Sequence, residues 1–281
     1  MIKDITIGQF FPGNSFIHKL DARAKIVLTL LYIIALFMCK NFFSLLLMLG
    51  FSAVCVFISK ISPKLIWKSL RAIIFIVLFT SALQIIYNDN GEILWKPFES
   101  RDFAVTTGGV FSAVFLAVRI IALILLSSLL TYTTSPTMLT DAIERLLSPL
   151  KIFKVKVHAL AMMMTIALRF IPTLITEIDI IMSAQKARGA KLDSGSIPER
   201  MKAMISVFIP LFVSAFRRAA ELAVAMECRC YTDSASRTSL KVMRMGIRDY
   251  ISFAVLGAVI FGAVFTSFYK FSSMFIFEPV M

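Results

Sequence analysis

The chain is 281 residues long and 58% hydrophobic, with 26 Phe and a mean hydropathy of +0.84; a soluble domain, roughly 45–50% apolar, could not hide that much apolar surface. Its formal charge of +13 comes from 30 Lys and Arg against 17 Asp and Glu. The aromatics sit in apolar runs rather than between basic patches, so the excess reads as basic loops flanking a membrane and argues against nucleic acid as a partner.

Residues before Ile26 mix Lys3, Asp4, Asp21 and Arg23 with Pro12 and Gly13, and no small-residue cleavage site follows the first apolar run. A cleavable signal is therefore not expected. Apolar runs then occupy Ile26–Cys39, Phe42–Ile58, Ala72–Tyr87, Gly108–Tyr132 and Tyr250–Tyr269. A spanning helix needs roughly 20 apolar residues. The fourth and fifth runs are long enough outright; the first gains length from snorkelling by Lys25 and Lys40, the second and third from Lys60, Lys68 and Arg71. The sequence thus predicts an all-α, polytopic membrane protein with about five transmembrane helices.

Charge sets the expected orientation. Lys3, Lys19, Arg23 and Lys25 precede the first run, and Lys60, Lys64, Lys68 and Arg71 follow the second. The loop Asn88–Thr107 instead carries Asp89, Glu92, Glu99 and Asp102 against Lys96 and Arg101. From Thr134 to Arg248 there are 17 Lys or Arg and nine Asp or Glu. Alternate loops are basic, which puts the N-terminus and the long segment in the cytoplasm and the C-terminus outside. Three regions follow: 1–133 with four spans, 134–248 as a cytoplasmic helical region, and 249–281 with the final span.

The long segment contains three predicted helices: Met138–Leu147, stopped before Pro149; Val157–Lys186; and Pro198–Glu227. The last two open with uncharged stretches, Ala159–Leu168 and Ala203–Phe216, of ten and 14 residues. Crossing the membrane there would carry Lys186, Arg188, Lys191, Arg200 and Lys202 outside, so amphipathic helices lying partly in the interface are expected instead. Their methionines, among them Met162, Met163, Met164, Met201 and Met204, suit an adaptable packing surface or a core equally.

These two helices repeat one another. Phe170-Ile-Pro172 is followed by Arg188 in Ala187-Arg188-Gly189, and Phe208-Ile-Pro210 by Arg229 in Cys228-Arg229-Cys230. Glu177 lies 11 residues before Arg188, and Arg218 lies 11 before Arg229. Eleven residues are close to three whole turns, so each pair shares a helix face. An Arg in the last turn followed by Gly is also what a good helix C-terminus needs. Two helices of like design ending in Arg on one cytoplasmic surface favour docking, since guanidinium stays charged and offers a fixed fork of donors.

Arg119 stands at the twelfth position of the fourth run, where a lone Arg costs at least ~2.5–3.5 kcal/mol and should face protein or a polar cavity. Gln84 and Thr80 are its candidate polar neighbours. Gly109, Ala113 and Ala117, and in the last span Ala254, Ala258 and Gly262, form small-residue stripes for close packing within the chain or against a partner. Cys228 and Cys230, with only His18 and His158 as imidazoles, fall short of a zinc set, so no metal site is expected. Neither a phosphate-binding G-x-x-x-x-G-K-[ST] nor H-E-x-x-H nor G-x-S-x-G is present. No catalytic residue is assigned; a stand-alone permease or intramembrane enzyme using Arg119 is the rival class.

Ordered blocks resemble a known family. They are Ser15-Phe-Ile-His18-Lys19-Leu20-Asp21-Ala-Arg23-Ala-Lys25, Thr133-Thr-Ser-Pro136 with Leu139-Thr-Asp-Ala142, Ala167-Leu-Arg169-Phe-Ile-Pro172 through Arg188-Gly189, and Ala225-Met-Glu-Cys228-Arg229-Cys230-Tyr231. Together they are similar to the transmembrane energy-coupling (T) components of energy-coupling-factor (ECF) ABC importers. The resemblance implies a non-catalytic scaffold holding two ABC-type ATPase subunits and a membrane-embedded, substrate-binding S component for vitamin or metal-ion uptake. It implies long coupling helices docking through Ala187, Arg188 and Gly189 and through Cys228, Arg229 and Cys230. ATP and Mg would be held by the ATPases, leaving no cofactor on this chain. A dedicated cobalt or nickel T component is the alternative within the family. The second motif departs from the usual Ala-Arg-Gly by flanking its Arg with two cysteines.

Overall fold

The computed structural model describes residues 10–87, 93–95, 105–153, 157–190, 192, 196–231 and 245–268. Eight α-helices appear among them: α1 (Ala22–Met38), α2 (Phe42–Ser59), α3 (Pro63–Tyr87), α4 (Thr107–Thr133), α5 (Pro136–Leu146), α6 (Val157–Ala187), α7 (Ile197–Cys228) and α8 (Ile247–Phe268). A 3-10 turn at Ser148–Phe153 follows α5, and an antiparallel ribbon of β1 (Ile93–Trp95) and β2 (Val105–Thr106) precedes α4. The described residues form two compact units, one within Gly8–Leu139 and Met243–Met281, the other within Thr140–Val242.

The first unit is a helical bundle whose starts and stops are written locally. Asp21 caps α1 by accepting from the Arg23 amide at 3.0 Å, and Thr106 caps α4 by accepting from Gly109 N at 3.1 Å, each satisfying an otherwise orphaned donor. Lys60 ends α2 in the left-handed conformation at φ 56°. Pro63 opens α3, where its missing N–H costs nothing. Helix α3 therefore starts nine residues before the predicted apolar run, taking in Lys64, Lys68 and Arg71. Asp89, Glu92, Lys96, Glu99, Arg101 and Asp102, on which the outside loop was argued, lie outside the described residues, as do residues 269–281.

Helices α1, α2, α4 and α8 share one core. Tyr32 and Leu36, Leu45 and Met48, Phe115, Ala122, Leu126 and Leu129, and Leu256 and Ala263 are buried together, and the Tyr32 hydroxyl finds the Met48 carbonyl at 3.0 Å. Helix α3 buries no residue fully; it packs along α4, where Ser81 Oγ reaches the Ala113 carbonyl at 3.4 Å. Gly109 and Ala113 are buried, so the α4 stripe does serve close packing. The α8 stripe behaves differently: Ala254 and Ala258 remain exposed, while Leu256 and Ala263 face the core.

Among the described residues six helices (α2, α3, α4, α6, α7 and α8) are long and apolar enough to cross a bilayer, against about five spans expected from the apolar runs. Two facts account for the difference. Helix α1 has 17 residues, about 26 Å of helix. The apolar halves of α6 and α7, short in isolation, belong to unbroken helices of 31 and 32 residues. Each exceeds the roughly 30 Å hydrocarbon core, leaving charged second halves beyond the apolar ones.

The second unit is dominated by α6 and α7. Glu199 accepts from the Ser196 backbone amide at 3.2 Å and fixes the start of α7. Only Val157 and Ala161 of α6 and Val207 of α7 are buried. Phe208, Ile209, Phe212, Val213 and Phe216 all stay exposed.

Candidate functional site

Helices α6 and α7 run antiparallel, joined across the short connection 188–196. Glu177 of α6 meets Arg218 of α7 at 3.0 Å and also accepts from the Ser214 hydroxyl. Nearer the start of α6, the Tyr231 hydroxyl lies 2.7 Å from Met162 Sδ. Residue numbers rise on one helix as they fall on the other, so Arg188 and Arg229 lie toward opposite ends of the pair. Equal spacing on two helices says nothing of their relative direction, so the sequence places both arginines on one surface without this opposition.

Both helices end the same way. In α6 the Gly189 amide donates to Lys186 O at 2.9 Å and the Ala190 amide to Gln185 O at 3.0 Å. In α7 the Cys230 amide donates to Glu227 O at 2.8 Å and the Tyr231 amide to Met226 O at 3.0 Å. Each set is the double bond of a Schellman cap, with its left-handed residue at Gly189 (φ 87°) and Cys230 (φ 54°). Arg188 and Arg229 hold the equivalent position immediately before that residue, and both are exposed. Gly is what the sequence suggests such a cap requires; Cys230 adopts the conformation without it. Ala187, Cys228 and Cys230 are exposed beside the arginines.

The imidazoles are engaged elsewhere. His158 Nδ1 pairs with Glu144 Oε1 at 2.8 Å. His18 has Nδ1 2.6 Å from Ser15 Oγ and Nε2 3.1 Å from Phe11 O. Among the described residues no group of three or more His, Cys, Asp or Glu could hold a metal ion.

Arg119 does not meet Gln84 or Thr80 as expected. It donates to the Cys39 carbonyl at 2.8 Å and lies over the rings of Phe115 and Phe37, 4.7 and 5.8 Å from their centroids. Thr80 bonds back to Ile76 O and Val77 O on its own helix. The end of α1 exposes carbonyls that want a cation, and Arg119 supplies one.

A polar cluster that composition did not reveal joins three helix ends. Lys25 is 6% exposed, and its amine donates to Thr133 O at 2.9 Å, with His18 O and Thr134 Oγ1 at 3.4 Å. It is buried in protein rather than snorkelling to an interface. Asp249, also buried, accepts from the Asp21 amide at 2.9 Å and from Gly246 N at 2.7 Å, while Asp21 pairs with Arg23 at 2.8 Å. Two separate sequence blocks, Ser15–Lys25 and Thr133–Pro136, thereby meet in space.

A family model described as "CbiQ: Cobalt transport protein" matches residues 13–240. The chain belongs to this family. It is similar to the energy-coupling factor transporter transmembrane protein EcfT of Ruminiclostridium cellulolyticum, 51% identical over 87% of this chain and 90% of that protein. The proteins of the same name from Clostridium kluyveri (47%, covering 90% and 93%) and Bacillus subtilis (42%, covering 93% and 98%) are similar as well. The chain is thus the T component of an ECF transporter, a multi-pass membrane protein.

Proposed function

We propose that this T component couples ATP hydrolysis by two ABC-type ATPase subunits to a substrate-binding S component, with Arg188 and Arg229 each docking one ATPase. The observation that carries the reading is the shared cap: two exposed arginines at equivalent cap positions, on helix ends that point apart. One cation per end suits two copies of one acceptor groove, where guanidinium can grip carboxylates or carbonyls with several donors. Ala187 and Gly189, and Cys228 and Cys230, form the immediate rims of those contacts.

In this reading regions 1–133 and 249–281 anchor the scaffold in the membrane, and 134–248 carries the coupling helices on the cytoplasmic side together with the N-terminus. The chain performs no chemistry; ATP and Mg reside on the ATPases and no cofactor is held here. Substrate choice, vitamin or metal ion, belongs to the S component, so the word cobalt in the family description assigns no ligand to this chain.

The test is Arg188→Ala combined with Arg229→Ala. Both ATPases should be lost on co-purification, or remain bound with hydrolysis uncoupled from uptake. Wild-type ATPase recovery together with wild-type uptake sinks the docking assignment.

A further inference from the structure

The contact between α6 and α7 is sparse in apolar burial yet has a charged centre. Glu177 is 18% and Arg218 is 40% exposed at the side chain. Ser214 and Arg218 stand one turn apart on α7, and both grip the Glu177 carboxylate. The pair occupies matched positions: Glu177 is 11 residues before Arg188, and Arg218 is 11 before Arg229. Each arginine cap therefore lies about 16 Å of helix beyond the contact.

We infer that the Glu177–Arg218 pair, with Ser214, is a register pin that holds the two Arg caps at equal reach from the helix crossing. The inference rests on the docking reading for its consequence, though not for its geometry. With only three residues fully buried on the two helices, apolar packing discriminates poorly between one register and the next. Sliding one helix by a turn, about 5 Å, trades exposed Met and Phe contacts for similar ones. It also pulls the carboxylate off both α7 donors: Glu177 Oε2 loses its ion-pair partner, the Arg218 guanidinium at 3.0 Å, and Arg218 Nε is already buried without a hydrogen bond. Fixing register is the best-attested use of such a half-buried charged pair.

The span so fixed is one the ATPases would read. Two caps, each about 16 Å of helix from the pin on antiparallel helices, are separated by about 33 Å along the helix axes. A shift in register lengthens one arm against the other while leaving both arginines and both Schellman caps intact. Glu177 and Arg218 are thus positioning residues, acting through Arg188 and Arg229.

The experiment uses the full-length chain in lipid nanodiscs, with spin labels at Ala187→Cys and native Cys228 and with Cys39, Cys55 and Cys230 replaced by Ser. The parent should give one narrow inter-label distance. Glu177→Ala and Arg218→Ala should each shift or broaden it by about one turn, 5 Å, and the exchange Glu177→Arg with Arg218→Glu should bring it back. In the assembled transporter, without labels, the single variants should keep both ATPases yet move several-fold less substrate per ATP, and the exchange should restore coupling. Single variants with the parental distance overturn the pin, as does an exchange that stays shifted. Failure of the docking reading looks different: the Arg188→Ala, Arg229→Ala chain would retain its ATPases and its uptake whatever the distances show.

Discussion

Cys230 holds φ 54°, a left-handed conformation that costs a residue with a side chain on the order of 1 kcal/mol and costs Gly almost nothing. Gly189 occupies the same cap position at φ 87°, with open space where a Cβ would stand. Cys230→Gly should therefore stabilise the end of α7 by about 1 kcal/mol, and Gly189→Ala should loosen the end of α6 by a similar amount. Amide hydrogen exchange in the last turn of each helix reads both effects. Lys25 is the opposite case, a side chain whose value lies in its contacts. Lys25→Met keeps the stem but strips the donor from Thr133 O, so unfolding in detergent should come earlier by roughly 1–3 kcal/mol. His18 adds a pH dependence. Partial burial pushes its pKa below the usual 6.5, only partly opposed by the Phe11 carbonyl, and the Lys25 charge pushes the same way. The unfolded chain then binds the proton more readily, so His18's contribution is present above about pH 6.5 and is lost as pH falls below it. Replacing His18 by Asn should flatten the stability profile across that acid limb.

At the level of elements, the start of α8 depends on one carboxylate. Asp249 is the third residue of the helix and accepts from Gly246 N ahead of it and from the Asp21 amide at the start of α1. Asp249→Ala removes the carboxylate that accepts from both of these amides and should cost more than the roughly 1 kcal/mol of an ordinary cap, with added protease sensitivity at the α8 junction as a second readout. Such ties explain what could be read in advance. Helix α6 was predicted at Val157–Lys186 and found at Val157–Ala187, and α7 at Pro198–Glu227 and found at Ile197–Cys228, because Pro198, Glu199 and the terminal arginines are local signals. The apolar run Ala72–Tyr87 understates α3 because it counts Lys68 and Arg71 only as snorkelling flanks and does not register that Pro63 begins the helix. Lys25 was misplaced at an interface because hydropathy cannot see that α4 ends beside it. The arginines were legible as a repeat, but their opposition was not, since only the Glu177–Arg218 and Met162–Tyr231 contacts reveal the antiparallel pairing.

For the molecule as a whole, the question raised by Arg119 is whether the bundle forms a path for solute. A path needs polar groups aimed into a cavity. The cavity of about 260 Å³ in the first unit is lined mainly by apolar side chains such as Leu28, Phe51, Val54, Leu126 and Val255, with Lys25 and Thr29 at its polar edge. Lys25 is turned to helix carbonyls, and Arg119 is likewise committed, to Cys39 O and two phenyl rings. An Arg that joins α4 to the end of α1 should behave as a brace. Arg119→Leu removes an insertion cost of at least ~2.5–3.5 kcal/mol while giving up a charged hydrogen bond worth roughly 1.5–3 kcal/mol, so the two changes nearly offset in stability. The folded chain should persist, its α1–α4 contact loosened, and uptake by the assembled transporter should fall far less than with Arg188→Ala and Arg229→Ala together. Proteoliposomes containing this chain alone should show no flux, with or without Arg119. Flux through the isolated chain that vanished in Arg119→Leu would reverse the argument and make the bundle itself the conduit.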